Sequence, residues 1–597
     1  MIQLKTRWAD LVNETDVLSE YPRPNMRRDS YLNLNGKWDY CINKLKETEK
    51  YDGHILVPFS PETLLSGVQK RVAPDDYLHY RKTFVLPEGF QKEHVILHFG
   101  SVDQECEVFM NGHRLGEHKG GYSSFSFDVT EYLTEENTLT LVVRDGTEKT
   151  PHGRGKQRYD RPKLMSSLFY TCQSGIWKTV WVESVEKEYI ENIKITPMFD
   201  EKSMELLIKT KGEIKKADVT IWDANHLVKT QSVYVNEKTV VELGNFKEWT
   251  PDTPHLYDVK IKYGKDEVTS YFGMRKFHVE KDAKGILRFF MNNKPFFFNG
   301  VLDQGYWPES LLTPPTDEAL KYDIVKLKEL GYNTIRKHIK VEPERFYYHC
   351  DKLGMLVWQD MPNGGGDYNM MFVTYLPNGL ECAARGIKDN HYKWFKREDA
   401  EGRAQYYRDL ENMVETLYNH PSIAVWVPFN EGWGQFDAKK ATAKIREIDG
   451  TRFINEACGW FDQQGGDMFS IHNYIRKLKC KPKTDRVVAL TEYGGYAYPV
   501  KGHLACEKEF GYKAYKSKEE LTMNYKRLWN EEIYPNVSKG LCSAIYTQTS
   551  DIEEEINGIM TYDRVEVKFI EKEIQDLNKK LYQLFEKECS NETRINA

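Results

Sequence analysis

The chain has 597 residues, of which 40% are hydrophobic and 29% are charged. It is long enough to bury several cores and should divide into about three or four domains. The formal net charge is -6, from Lys+Arg 84 and Asp+Glu 90. Because the two signs are mixed along the chain, its charge does not predict a nucleic acid or an anionic membrane as a partner.

The cysteines and the N-terminus indicate the compartment. Ten cysteines occur singly between Cys41 and Cys589, without a CxxC pair, which is typical of reduced thiols. The first residues carry charges and lack an apolar leader, and no apolar run reaches the roughly 18 residues of a membrane span. We therefore expect a cytoplasmic protein with no membrane segment. The sequence leaves a homo-oligomer open.

Short β runs separated by turns fill the first part of the chain. Apolar and polar residues alternate at 106–110, as in a half-buried strand, and Asn111-Gly112 predicts a hairpin. Up to about residue 183 the spacing favours an antiparallel, jelly-roll-like sandwich. A second set of β runs, over about 187–280, has the size of an immunoglobulin-like sandwich.

From about residue 286, strands alternate with helical patterns, which predicts parallel β/α units. The strand candidates are Phe296–Gly300, Thr334–His338, Leu356–Asp360, Ile423–Pro428, Phe453–Glu456, Met468–His472, Val487–Glu492 and Ala544–Gln548. Eight such units predict a (β/α)8 barrel. The predicted domains are thus a jelly-roll-like domain at 1–186, an immunoglobulin-like domain at 187–281 and a barrel at 282–597.

Two glutamates stand at the C-terminal ends of predicted barrel strands. Glu431 follows the fourth strand in VWVPFNEGWG, and Glu492 ends the seventh in LTEYGG. Barrel enzymes keep their reactive groups at this face. A single strand-end glutamate is usually a solvated charge, but two in matching settings suit a glycosidic bond, which needs a proton donor and a nucleophile or activated water. A separation of about 5–5.5 Å suits retention, and about 6.5–9.5 Å suits inversion.

Further polar and aromatic residues lie at or near predicted strand ends. Asn430 can hydrogen-bond a sugar hydroxyl, and the aromatic rings can pack on a sugar face or simply on the core. These candidates are Asn430, His338, His472, Tyr474, Trp307, Trp433, Trp460, Trp358 and Tyr306. The long connection at 361–398 leaves the same face, which favours an active-site wall.

A metal site is the competing interpretation of the polar residues. His338, Asp360, His472 and Glu492 can converge on one barrel mouth, but no HxH or HExxH spacing supports metal binding. We therefore expect neither a metal nor another cofactor.

Several segments occur together in one order: YPRPNMRRDSYLNLNGKWDY, SGIWKTVWVE, FNGV, PFNEGWG, FSIHNY and LTEYGG. In this combination the chain resembles glycoside hydrolase family 2, the family of β-galactosidases, β-glucuronidases and β-mannosidases, over nearly its whole length. The resemblance implies an exo-acting retaining glycosidase with a carbohydrate substrate. It also implies that Glu431 is the acid/base, Glu492 the nucleophile, and Asn430, His338 and Tyr474 their active-site partners.

The chain departs from the family pattern at positions that contact sugar. Asp303, Gln304 and Trp307 replace familiar contacts in GVLDQGYW, and Gln548 stands where a Trp is common. The Asn and Lys pair by which β-glucuronidases hold a carboxylate is missing near Asn557. A β-galactoside-like substrate is therefore the leading hypothesis. Arabinosidase, galactofuranosidase and β-mannosidase types stay open, as does a non-catalytic carbohydrate-binding protein on a hydrolase scaffold.

Overall fold

The computed structural model describes residues 4–160 and 166–590, so the first three residues of the N-terminal segment lie outside it. It contains two β-sandwiches followed by a parallel barrel, which confirms the predicted fold class. No helix within the described ranges is long and apolar enough to cross a membrane. The boundaries at 1–186, 187–281 and 282–597 remain our proposed division of the chain.

The N-terminal sandwich packs a four-stranded sheet on a six-stranded sheet around one apolar core. The smaller sheet has the order Tyr31–Asn33, Val180–Val185, His94–Phe99, Phe125–Asp128. The larger has the order Gly53–Val57, Gly36–Asn43, Tyr77–Phe84, Asn137–Arg144, Glu105–Met110, His113–Lys119. Asn111 and Gly112 both have positive φ, at 50° and 80°, as the predicted hairpin turn requires.

The immunoglobulin-like sandwich has one three-stranded and one four-stranded antiparallel sheet. The first contains Tyr189–Met198, Ser203–Lys211 and Lys238–Glu242; the second contains His226–Tyr234, Lys216–Asp223, Tyr257–Tyr263 and Asp266–Phe272. A further antiparallel sheet of Phe277–Lys281, Leu287–Met291 and Lys294–Phe296 leads into the barrel.

The barrel strands, labelled β1 to β8, are Phe298–Asp303, Thr334–Lys337, Leu356–Asp360, Ile423–Val427, Phe453–Ile454, Met468–Asn473, Val487–Gly494 and Leu541–Thr547. Their order in the sheet is β5-β4-β3-β2-β1-β8-β7-β6, and the pairs are parallel. Parallel pairing brings all their C-terminal ends to one mouth. β7 runs further than predicted because Gly494 still pairs with Thr547, so Glu492 lies inside that strand.

The helices around the barrel, labelled α1 to α9, are Asp317–Glu329, Glu344–Leu353, Leu376–Gly379, Glu381–Gly386, Ala400–Leu417, Ala438–Ile448, Lys518–Leu528, Tyr534–Val537 and Glu571–Cys589. Helix α1 begins after its N-cap Thr316, whose side chain accepts a hydrogen bond from the N–H of Ala319. The apolar stripe of α9 is buried against the barrel through Ile574, Leu577 and Leu581.

Candidate active site

Glu431 and Glu492 face each other across the barrel mouth. Glu431 lies in the turn after β4 with a φ of 52°, a left-handed conformation that costs a non-glycine residue about 1–2 kcal/mol. Its N–H donates to the carbonyl of Cys458 at 2.8 Å, which holds the turn. Glu492 is buried inside β7. One carboxylate oxygen of each glutamate lies within 4.8 Å of the other.

His472, at the end of β6, joins the two acids. Its Nδ1 lies 2.7 Å from Oε1 of Glu431 and 3.5 Å from Oε2 of Glu492, and its Nε2 lies 3.1 Å from Sγ of Cys458. Burial by itself lowers the pKa of this imidazole, but the negative charge of Glu492, the Cys458 sulfur and the hydrogen bond to Glu431 outweigh it and raise the pKa to about 10. The ring is therefore an imidazolium at neutral pH.

The surroundings of Glu492 favour its ionised form. Arg336 Nη1 donates to Oε1 at 2.9 Å, and the hydroxyl of Tyr474 donates to Oε2. Burial opposes ionisation, yet the charges of His472 and Arg336 and the Tyr474 hydrogen bond together lower the pKa of Glu492. This carboxylate is charged and oriented before any substrate arrives.

Arg336 is a central residue of the site that the sequence reasoning missed. Its guanidinium holds Asp360 through two hydrogen bonds of 3.0 and 2.8 Å, and it also donates to Oδ1 of Asn430 at 2.8 Å. Burial raises the pKa of Asp360 to about 6 even though Arg336 opposes the rise. A charged residue inside the buried strand β2 was the available signal, since full burial of arginine is rare without a partner.

His338 and Gln304 form a pair beside Glu492. His338 Nδ1 lies 2.9 Å from Oε1 of Gln304, and its Nε2 lies 3.8 Å from Oε1 of Glu492. Burial, with the nearby charges of Lys156 and Arg336, holds the pKa of His338 well below its usual value. The neutral ring therefore donates from Nδ1 to Gln304 and leaves Nε2 as an acceptor.

Several candidate sugar contacts carry a buried polar atom that lacks a hydrogen-bond partner among the described residues. These atoms are Nε2 of Gln304, Nε2 of His338, Nε1 of Trp433, Nε1 of Trp460 and Oε1 of Gln548. Buried polar atoms are normally paired, and each exception requires an explanation. Sugar hydroxyls both donate and accept, so one ligand class can satisfy those atoms of the set that face the mouth.

The tryptophans predicted at the mouth do not all lie there. Trp460 meets the ring of His472 edge to face at 5.2 Å between centroids. Trp433 packs on Phe169 and Tyr368, at 5.1 and 5.6 Å. Trp433 therefore lies between the sandwich and the long connection at 361–398.

Asp303 and Trp307 are engaged away from the two glutamates. Asp303 forms an ion pair with Lys337 and accepts from the N–H of Gly305, so both carboxylate oxygens are occupied. Trp307 is buried against Trp8, with 6.1 Å between ring centroids. The structure thus does not bring either residue to the acids, although Asp303 ends β1 and Trp307 follows it.

The end of β8 forms the side of the mouth next to Tyr474. The hydroxyl of Tyr474 lies 3.0 Å from Oγ1 of Thr547, and its ring stacks on Tyr512 with 3.9 Å between centroids. Gln548 is fully buried and donates to Oδ1 of Asn557 at 2.8 Å. Tyr512, from a loop after β7, is a further wall residue that no strand pattern indicated.

The connection at 361–398 packs directly on the turn that carries Glu431. Arg397 Nε donates to the carbonyl of Gly434 at 2.7 Å. Gly434 has a φ of 67°, and a Cβ there would lie 1.9 Å from the carbonyl oxygen of Gly364. Glycine is therefore required where this connection touches the turn.

The N-terminal sandwich also reaches the mouth, through Lys156. Its charge contributes to lowering the pKa of both His338 and Glu492. Its Nζ lies 3.5 Å from the hydroxyl of Tyr170, which in turn donates to Glu555. Sequence reasoning missed Lys156 because nothing local shows that a loop of one domain meets the barrel of another.

Glu431, His472 and Glu492 are also spaced so that they could hold a metal ion. One ligand atom from each lies within 4.8 Å of the others. Binding a metal there would require the His472 imidazole to give up a proton. The same spacing also suits an acid pair bridged by a histidine, which is the arrangement used in the proposal below.

Two sandwiches that precede a barrel with paired carboxylates define a class of multidomain barrel proteins. Three family models match the chain in the same order: the glycosyl hydrolase 2 galactose-binding domain-like model at 66–168, the glycosyl hydrolases family 2 model at 188–275, and the glycosyl hydrolases family 2 TIM barrel model at 284–566. The chain belongs to glycosyl hydrolase family 2, as its motifs predicted.

Individual relatives are distant. A β-galactosidase of Thermoanaerobacter pseudethanolicus is 25% identical over 513 residues, which cover 80% of this chain and 62% of its own length. A β-glucuronidase of Streptococcus agalactiae is 23% identical, with 80% and 84% covered. The solved structure of a Ruminococcus gnavus β-glucuronidase matches 95% of this chain and 99% of its own, with TM-score 0.73 and 17% identity. The chain thus spans less than two thirds of the first curated relative, and the solved structure shows a shared fold.

Proposed function

We propose that this chain is an exo-acting, retaining glycoside hydrolase that removes terminal, β-galactoside-like sugars from oligosaccharides or glycosides. The approach of the Glu431 and Glu492 carboxylates to within 4.8 Å supports it most directly. Retaining enzymes place their carboxyl groups about 5–5.5 Å apart, whereas inverting enzymes need about 6.5–9.5 Å to admit a water. The close approach of one oxygen from each carboxyl group supports the shorter, retaining spacing.

The proposed reaction has two steps. Glu431 first donates a proton to the glycosidic oxygen while Glu492 attacks the anomeric carbon, so the leaving group departs as an alcohol and a glycosyl-enzyme ester forms. Glu431 then removes a proton from a water that attacks the same carbon, which releases the sugar and regenerates Glu492. The lowered pKa of Glu492 suits the nucleophile, which must be ionised at the start.

His472 and Asn430 position the reacting groups in this proposal. His472 donates to Oε1 of Glu431, which leaves the second oxygen of that carboxyl to carry the transferred proton. Asn430 accepts from Arg336 through Oδ1, so its amide nitrogen is available as a donor to a sugar hydroxyl. Such a bond can strengthen in the transition state.

The sugar contacts are proposed from the unpartnered atoms. We assign His338, Gln304, Trp460 and Gln548 to the sugar site, with Tyr474 beside the nucleophile. Four other candidates do not contact the sugar directly in this proposal, because each is packed against or paired with protein groups: Trp433, Asp360, Asp303 and Trp307. A β-galactoside is the leading sugar because the curated relatives include β-galactosidases. Arabinosidase, galactofuranosidase and β-mannosidase types remain the alternatives.

A panel of nitrophenyl pyranosides and furanosides tests the activity. We expect release of nitrophenol from the β-galactoside, with a first-formed sugar of retained configuration by NMR. A 2-deoxy-2-fluoro-galactoside should add its mass to the peptide that contains Glu492. Preference for a furanoside or mannoside would move the assignment to that sugar. A protein that binds sugars but cleaves none of the panel would contradict the proposal in favour of a carbohydrate-binding role.

A further inference from the structure

A cleft of about 420 Å³ opens beside β6, next to the proposed active site. Trp460, His472 and Tyr474 form part of its wall. The cleft thus shares His472 and Tyr474 with the contacts of Glu431 and Glu492, although the two glutamates do not line it. Trp460 also contributes the unpartnered Nε1 atom, in a side chain that is 6% exposed.

The lining of the cleft is strongly basic. Among its described side chains none is Asp or Glu, whereas the following are basic: Arg385, Arg476, Lys477, Lys479, Lys481 and Lys483. This concentration of positive charge occurs in a chain whose formal net charge is -6. The net charge of the whole sequence did not reveal this basic cleft, because acidic residues elsewhere in the chain outweigh the lysines of one short segment.

The segment after β6 presents its lysines in one direction. Lys477, Lys479 and Lys481 are exposed, and they alternate with the buried Leu478 and Cys480. In an extended chain, alternate side chains point to one side at a spacing of about 6–7 Å. The three ammonium groups thus form a row rather than a scattered set.

The backbone of this segment is held in place from below. The N–H of Leu478 donates to Oε2 of Glu532 at 2.7 Å, and the N–H of Cys480 donates to Oδ1 of Asn536 at 3.0 Å. Asn536 lies in α8, and Glu532 lies in the helical turn just before it. The row of lysines is therefore anchored to the barrel and does not depend on a ligand for its position.

The cleft lies on the side of the general acid. Glu431 is the group that protonates the departing oxygen in the proposed reaction, and His472, which hydrogen-bonds Glu431, lines the cleft. A leaving group that departs past Trp460 and Tyr474 would therefore enter the cleft that holds the lysines. A row of like charges in a cleft focuses the potential and attracts an anion, while the net negative charge elsewhere repels it.

We propose that this cleft binds the leaving-group portion of the substrate, and that this portion is an anionic saccharide carrying carboxylate or sulfate groups. The inference rests on the proposed glycosidase activity, which places the terminal sugar at the two glutamates. The charged sugars of the leaving group then lie along Lys477, Lys479 and Lys481. It extends that function to a substrate class, because a neutral leaving group would leave the row of charges unused.

Calorimetric binding to an inactive Glu492→Gln protein tests the inference without turnover. The probes are trigalacturonate, a sulfated carrageenan oligosaccharide of similar length, and neutral galactotriose. The cleft variant adds Lys477→Gln, Lys479→Gln and Lys481→Gln. A matched control adds Lys209→Gln, Lys215→Gln and Lys265→Gln, which remove the same charge from exposed positions of the immunoglobulin-like sandwich.

We expect at least one anionic probe to bind more tightly than galactotriose, and the cleft variant to weaken it at least tenfold while the control does not. Added salt should weaken the same binding, since exposed charges are screened over about 10 Å at 0.1 M. The probe that binds more tightly identifies carboxylate or sulfate as the preferred group. Equal loss in the control variant, or equal competition by a short single-stranded DNA, would overturn the inference.

A kinetic comparison separates this inference from the proposed function. We compare kcat/KM for 3-carboxy-4-nitrophenyl β-galactoside with kcat/KM for 4-nitrophenyl β-galactoside. The ratio of the first to the second should be lower in the cleft variant with Glu492 intact than in the wild type. The intrinsic reactivity of each leaving group is the same for both proteins and therefore cancels. If both glycosides are cleaved and the ratio is unchanged, the proposed role of the cleft is contradicted while the proposed glycosidase activity stands. If the wild type cleaves neither glycoside, the β-galactosidase proposal fails, and the binding experiment still decides the cleft.

Discussion

Nδ1 of His472 lies 2.7 Å from Oε1 of Glu431, so a charged imidazole is hydrogen-bonded to the residue proposed as general acid. The same ring lies 3.5 Å from Oε2 of Glu492. One cation therefore contacts both acidic residues, and it fixes which oxygen of Glu431 remains available to the substrate.

We expect the stability contributed by His472 to depend on pH. Its folded-state pKa, about 10, lies above the unfolded value of about 6.5. The contribution is therefore fully present below about pH 6.5 and is lost as pH rises toward 10. Urea unfolding of the wild type and His472→Gln across this range should give a difference in unfolding free energy that shrinks with pH. A difference that is constant or grows would contradict the charged state of this ring.

Glu431→Gln and Glu492→Gln should each abolish most activity, but they should differ in rescue. Loss of the acid costs about 10²–10⁴ in rate, and an activated aryl leaving group recovers much of it because that group needs little protonation. Loss of the nucleophile is not recovered in this way. The measurement is kcat/KM over nitrophenyl glycosides of graded leaving-group acidity. Equal rescue of both variants would reverse or remove the assigned roles.

Arg336→Gln should shift the acidic limb of the kcat/KM profile to higher pH. The charge of Arg336 helps to keep the pKa of Glu492 low, so its loss raises that pKa and leaves less ionised nucleophile at a given pH. Arg288→Gln is the matched control, because Arg288 is also buried and pairs with an aspartate, Asp282, away from the site. Both variants should lose roughly 3–5 kcal/mol of stability. A shifted limb in both would show that the effect is not local.

Gly434→Ala should destabilise the turn that carries Glu431 and reduce activity. Alanine meets two penalties there, the positive φ of 67° and the carbonyl of Gly364 at 1.9 Å. Gly502→Ala separates them, since Gly502 has a φ of 93° with nothing within 4 Å of the added Cβ. Thermal unfolding should show a larger drop in Tm for Gly434→Ala, together with lower kcat/KM. Similar drops for both would mean that the connection at 361–398 moves aside easily.

We predict that the protein does not prefer glucuronides. Asn557, near which the carboxylate-binding pair of β-glucuronidases would stand, donates to Glu555 at 2.9 Å and accepts from Gln548 at 2.8 Å, so both ends of its amide are occupied. The values of kcat/KM for a glucuronide, a galactoside and a glucoside with one leaving group test this. A glucuronide that exceeds both neutral sugars would overturn the prediction and direct attention to Lys156.

Much of the architecture could be predicted because it depends on local patterns. Alternation over 106–110 and the Asn111-Gly112 turn specify a hairpin whatever lies around it. Strand and helix periods specify the barrel, and a residue after a strand must lie at the C-terminal mouth. These rules placed Glu431 and Glu492 together without any knowledge of their distance.

The faces of single residues were decided only by the tertiary structure. Arg336 and Lys337 are neighbours in β2, yet the first binds Glu492 and the second pairs with Asp303. Successive side chains of a strand point to opposite sides, so a shift of one residue exchanges the two roles. In a strand that is buried on both faces, the sequence alone does not reveal which residues point into the barrel and which point outward.

The sequence by itself determined the order of domains, the barrel and the paired acids, because each follows from periodicities a few residues long. Only the tertiary structure brought Lys156 from the sandwich to the barrel mouth, turned Asp303 and Trp307 away from it, and placed Lys477, Lys479 and Lys481 along the cleft. Contacts between distant segments depend on how whole domains pack, and no local pattern encodes that packing.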